Sequence, residues 1–215
     1  MSTNTIPLSP FESKARIHAH IGFFAFVFGL PVGILIARYL RTFINHWFWP
    51  HAIVNLVFVG PLVLTTFILG HQLVEVSEGP HFYDIHQRVG LALFLLYFLQ
   101  VFLGIFIHFV KFPALAARMP GGRNPQNYLH GLLGLVIVLL GCWQSHYGLW
   151  HEWAFATGNI HPVTWHCKDF WLGIVVAFWT LYIIGLVFLR RQYRQEKLRR
   201  GNLKDEKHYQ EVPLI

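Results

Sequence analysis

The sequence predicts an all-α membrane protein with five transmembrane helices running up and down. Three observations predict it. The composition is 54% hydrophobic and only 13% charged, outside the soluble globular range. Five apolar runs approach or exceed the roughly 20 residues that cross a bilayer, at Ile17–Tyr39, Ala52–Gly70, Val89–Val110, His130–Leu149 and Phe170–Leu189. Mostly short connections join neighbouring runs, which makes successive helices antiparallel.

Each element follows from local chemistry. Residues 1–16 are polar with two prolines and are expected to form a disordered tail. The first span shows no small-residue cleavage signal and reads as a retained helix, kinked at Pro31. Trp47 and Trp49 in the next connection are placed as interfacial anchors. An acidic loop then leads to His81, Asp84, His86 and Arg88, which open the third span. The Pro/Gly-punctuated loop KFPALAARMPGGRNPQN precedes the fourth span, opened by His130, and a Trp/His-rich loop precedes the fifth. Cys142 and Cys167 make no disulfide framework and are expected to be packing residues. The domain layout is a tail at 1–16, one membrane domain at 17–190 and a basic tail at 191–215.

Charge gives the orientation. With five spans the termini lie on opposite faces, and the N-terminal face carries four Lys and Arg against thirteen on the other. The positive-inside rule then puts the N-terminus outside or in a lumen and the C-terminus in the cytosol, as a multi-pass protein of the plasma membrane or an endomembrane. Most of the net charge of +7 comes from the cluster Arg190, Arg191, Arg194, Lys197, Arg199 and Arg200, which anchors topology and can sit on anionic lipid, so no nucleic acid is implied.

Fourteen histidines stand in the chain, and histidine is costly in membrane helices unless partnered. Spans one to four each begin with one: His18 or His20, His51, His86 and His130. Because directions alternate, the topology sorts them into an outer pair from spans one and three and an inner pair from spans two and four. Facing neutral imidazoles can fill both axial positions of a haem iron. His18, His86 and His130 each have glycine four residues on, at Gly22, Gly90 and Gly134, one turn along the same face. Such a stripe would let a flat ring approach the backbone. His20 has Phe24 there and is the fallback. His51 has Asn55 and is the weakest by pattern, and His108 is its rival for the inner level.

A single histidine at a helix end is ordinarily an interfacial or hydrogen-bonding residue, and small residues one turn apart ordinarily serve helix packing. The fourfold recurrence at two levels outweighs that reading. Transport of zinc or copper would favour carboxylates or thiolates inside the spans, and only Cys142 is present. Arg38, Arg88 and Arg123 stand near the expected haem edges, where a guanidinium suits a propionate. Gly104 is expected to leave room for the inner haem.

The pieces LPVGILIARYLRTF at 30–43, WFWPH ending at His51, IHQRVGLALFLLYFLQVF at 85–102 and YLHGLLGLVIVLLG at 128–141 resemble the cytochrome b561 / ferric reductase transmembrane family. The resemblance is particularly to the branch often found behind an extracellular DOMON domain, here expected to lack that domain. The resemblance covers about 18–190. It implies a four-helix core with one peripheral helix and two haem b. It also implies ligand positions His18, His51, His86 and His130, paired His18–His86 and His51–His130.

The expected function is transmembrane electron transfer through two b-type haems, from a cytosolic reductant such as ascorbate to an extracellular or lumenal acceptor, a DOMON-type or ferric partner included. A homodimer is compatible with this. The alternatives are a ferric-chelate reductase and a cofactor-free anchor or transport bundle.

Overall fold

The computed structural model describes residues 6–198. The expected tail positions 1–5 and the basic positions Arg199 and Arg200, with His208, lie outside them. Five helices are long and apolar enough to span a membrane: α1 Pro10–Leu40, α2 Phe48–Val76, α3 Ile85–Phe109, α4 Pro125–Ala156 and α5 Trp165–Leu198. A short helix, Pro113–Arg118, lies in the connection before α4, and no strand occurs among the described residues.

α1 begins at Pro10, inside the stretch expected to be disordered. Ser9 explains the early start. Its hydroxyl accepts the Glu12 N–H at 3.1 Å while the Glu12 carboxylate accepts the Ser9 N–H at 2.8 Å. This reciprocal cap, with proline at the first helical position, satisfies N–H groups that the helix itself leaves open. α3 starts in a similar way, with the Asp84 side chain accepting from Gln87 N–H at 2.8 Å.

Prolines shape the first two helices. Pro31 lacks an N–H and crowds the carbonyl one turn before it. The preceding turn, Phe24–Gly29, is wound wide, with the Leu30 N–H reaching Ala25 O. A second wide turn, Val54–Val59, precedes Pro61 in the same way. Such π-turns recover backbone partners where lipid offers none.

The centre of the bundle is small-to-large packing. Ala25, Val27, Val59, Val63, Leu93, Ile137 and Val138 are almost wholly buried. Gly29 lies against Val59, and Gly141 lies so close to Phe26 that an added Cβ would stand 2.8 Å from the Phe26 Cβ. Lipid tails are as apolar as leucine, so this close packing holds the helices together, with no hydrophobic gain to assist. α5 stays at the edge. It reaches the core through Phe178 and leans on α1, where Tyr39 donates to Leu181 O at 2.6 Å. Val57, Phe58, Leu95, Phe102 and Val187 point outward, as lipid-facing residues do.

Candidate functional site

Four histidines, each at the start of an apolar run, meet in two pairs. His18 of α1 and His86 of α3 face each other with ring centroids 6.2 Å apart. His51 of α2 and His130 of α4 do the same at 6.3 Å. All four rings are half-buried. The pairs lie toward opposite ends of the bundle. The added Cβ of Gly104 would stand 3.2 Å from His130 Cε1, and Gly104 is 18 residues from His86, on the order of 27 Å along α3.

Backbone carbonyls orient one ring of each pair. His18 Nδ1 donates to Thr66 O at 2.9 Å, and His51 Nδ1 donates to Gly33 O at 2.8 Å. Each bond places the proton on Nδ1 and leaves Nε2 with a lone pair. No hydrogen bond reaches Nε2 of any of the four among the described residues.

Two amides hold the backbone of the other two histidines. Gln144 Nε2 donates to His86 O and Gln100 Nε2 donates to His130 O, both at 2.7 Å. These amides interrupt two otherwise apolar spans, and their partnership explains them. They also reveal a pattern not expected from the sequence. His86, Gly90, Gln100 and Gly104 on α3 recur at His130, Gly134, Gln144 and Gly148 on α4, each 44 residues later. Because the helices run antiparallel, each glutamine braces the other helix's histidine. Gly148 lies beside His86 as Gly104 lies beside His130. α1 and α2 echo this. Thr66 and Gly33, whose carbonyls receive the histidine protons, each stand 15 residues after the histidine of their own helix.

The rivals point elsewhere. His20 Nδ1 bonds Arg16 O at 2.7 Å on an exposed face. His108 stacks on Phe48, with centroids 5.0 Å apart. Of the three arginines, Arg123 grips the Glu196 carboxylate through Nε at 2.7 Å and Nη2 at 2.6 Å. Arg38 donates to the Tyr182 hydroxyl at 3.1 Å and keeps a buried Nε with no hydrogen-bond partner. Arg88 is exposed and reaches Asp84 O.

The profile of the eukaryotic cytochrome b561 family matches residues 17–156. That match covers α1 to α4 and both histidine pairs. The chain belongs to the eukaryotic cytochrome b561 family. No curated protein and no solved structure matches it. The family binds b-type haem and transfers electrons across membranes.

The b561 histidines fit such a group. Two imidazoles, each about 2 Å from a shared metal, have ring centres about 6 Å apart. Ligating histidines ordinarily donate their other ring nitrogen to a carbonyl or carboxylate, as His18 and His51 do. His86 and His130 bury Nδ1 without a partner.

The glycines one turn beyond the histidines each lie against a side chain of a neighbouring helix. Gly22 lies against Thr66, Gly90 faces Gln144, and Gly134 faces Gln100. They leave room for Thr66, Gln144 and Gln100, which bond three of the four histidines through a ring nitrogen or the backbone. The residues whose missing side chains leave space beside an imidazole are Gly70 for His18, Gly104 for His130 and Gly148 for His86. Beside Gly104 a cavity of about 400 Å³ opens at the end of the b561 bundle, lined also by Arg41, Trp47, Phe48, His108 and Lys111.

Proposed function

We propose that the chain carries electrons from one face of the membrane to the other through two b-type haems, ligated by His18 with His86 and by His51 with His130. The observation that carries this reading is the pair of facing imidazoles at each of two levels, 6.2 Å and 6.3 Å between ring centres. Bound haem iron supplies one-electron chemistry by alternating between ferric and ferrous states.

The chain's own residues do the rest. Two histidines holding each iron would leave no open site for oxygen, which would favour electron transfer over oxygen activation. Thr66 O and Gly33 O hold two rings in the tautomer that presents Nε2. Between the two levels Phe26, Leu93, Tyr97 and Val138 are buried and exclude water. Tyr97, the polar one among them, is satisfied by donating to Asn55 O at 2.5 Å. Arg38 at the His51/His130 end has a donor left for a haem carboxylate, whereas Arg123 would first have to release Glu196.

The Lys and Arg bias places the N-terminus outside or in a lumen and the His51/His130 end in the cytosol. The cavity beside Gly104 presents Arg41, Lys111 and two histidines. That charge suits an anionic reductant of the ascorbate class. Electrons would leave at the His18/His86 end to an acceptor outside, a DOMON-type or ferric partner among them. A homodimer is compatible with this arrangement.

An absorption spectrum of the purified protein tests the reading, with two haems per chain expected. His86→Ala should remove one of them and His130→Ala the other. A colourless protein, or a variant that keeps both haems with an unchanged redox spectrum, overturns the ligand set.

A further inference from the structure

At the His18/His86 end, outside the four-histidine core, a second cluster of metal-binding side chains stands on the surface. His71 and Glu75 lie one turn apart near the end of α2, on one face of the helix. His81 comes back over them from the loop that leads to α3. The two imidazoles are stacked, centroids 4.0 Å apart, and His71 Nδ1 lies 3.4 Å from the Glu75 carboxylate. One ligand atom from each of the three lies within 4.8 Å of the other two.

We propose that His71, Glu75 and His81 form a binding site for a divalent transition-metal ion of the zinc or copper(II) class. The donor set carries the identity of the ion. Two imidazole nitrogens and one carboxylate oxygen suit these borderline ions, and calcium or magnesium would ask for oxygen alone. Metal–ligand bonds of about 2 Å put donors closer together than they now stand. The side chains are exposed, so rotation about their χ angles closes that gap without moving backbone. Three protein ligands leave a coordination position open on the solvent side.

The loop is built to return His81 to this place. Glu78 and Phe82, on either side of it, hold left-handed backbone at φ 55° and 57°, a conformation that is unfavourable for a non-glycine residue. Bonds at both flanks secure it. The Gly79 N–H reaches back to Val74 O at 3.3 Å, and Tyr83 N–H donates to Gln87 Oε1 at 3.2 Å.

Position gives the site a consequence. His71 follows Gly70, over which the His18 ring lies. A cation bound there adds positive charge close to the His18/His86 pair, which favours the reduced, less positive state of a haem held by that pair. This consequence rests on the two-haem proposal, whereas the metal site itself does not.

Calorimetric titration of the purified full-length protein with Zn²⁺ alone tests the site. One zinc per chain is expected, and His71→Ala, His81→Ala and Glu75→Gln should each weaken it by roughly tenfold or more, at least the penalty seen when an outer-shell partner is lost. His166→Ala, an exposed histidine elsewhere, should leave it unchanged. Thermal melts keep the test sound, since three exposed substitutions should leave the fold intact. Binding that is absent, or equal in wild type and in the three variants, overturns the proposal. In a redox titration Zn²⁺ should raise the potential of one haem in wild type and not in His81→Ala. Protein that binds zinc at these residues but carries no haem overturns the proposed function and leaves the site standing.

Discussion

Gln100 and Gln144 show how much a single buried amide can decide. Each donates to the backbone of a histidine on the opposite helix, and each stands where an apolar side chain would otherwise pack between α3 and α4. Gln144→Leu should cost about 1 kcal/mol, the typical net worth of one hydrogen bond. Under the proposed ligand set, its spectral effect should be confined to the haem assigned to His18 and His86, and that of Gln100→Leu to the haem assigned to His51 and His130. Low-temperature spectra that resolve the two haems check this, and equal disturbance of both by either variant would count against the bracing role. The histidines were legible in the sequence because each opens an apolar run. The amides were visible only as interruptions, since the 44-residue recurrence pairs antiparallel helices and leaves local hydropathy untouched. His51, weakest by pattern because it lacks the glycine, lacks it for a physical reason. Asn55 stands in that place, against Gly33, and donates to His51 O at 2.7 Å.

At the level of elements, the spacing of glycine along α4 separates packing from mere composition. An added Cβ at Gly141 would meet Phe26 of α1, while at Gly131 nothing lies within 4 Å. Gly141→Leu should therefore force α1 and α4 apart and cost about 1–3 kcal/mol by overpacking. Gly131→Ala should be neutral or stabilising by up to about 1 kcal/mol, because it removes backbone freedom from the unfolded chain. Denaturant or thermal unfolding in detergent compares the two. The helices themselves were legible from hydropathy, though their ends were not. α1 runs back to Pro10 because Ser9 and Glu12 cap each other, a polar signal outside the apolar run. α5 continues past Leu189 to Leu198, where Glu196 meets Arg41 at 3.0 Å and Arg123 at 2.6 Å. That contact joins residues 73 apart in sequence, and no local pattern announces it. Arg123 therefore looked free for a haem propionate when the fold had already given it a carboxylate.

Across the whole molecule, one imidazole ties the start of α1 to the connection between α4 and α5. His161 Nδ1 lies 2.7 Å from the Glu12 carboxylate, and its Nε2 lies 2.8 Å from Ile6 O. Both ring nitrogens face acceptors, so the protonated ring, a donor at both, is the form that fits. The hydrogen bond to Glu12 comes first among the causes that raise the His161 pKa above its ordinary 6.5, and the bond to Ile6 O adds to it. A group whose pKa rises on folding contributes stability that is complete below the unfolded value and is lost as pH climbs through the folded one. The tie should thus be whole below about pH 6.5, and alkaline conditions should release it. Hydrogen exchange at residues 6–13 should accelerate as pH rises past that window, beyond the intrinsic base-catalysed rate. His161→Gln should show fast exchange at every pH, since an uncharged amide carries both its N–H donors on one nitrogen and cannot reach two acceptors that face separate ring nitrogens. The tie lies at the same end of the bundle as His18 and His86. If Glu12 and His161 only decorate the surface, wild type and His161→Gln will exchange alike at pH 6, and the N-terminal segment will be held by the Ser9 cap alone.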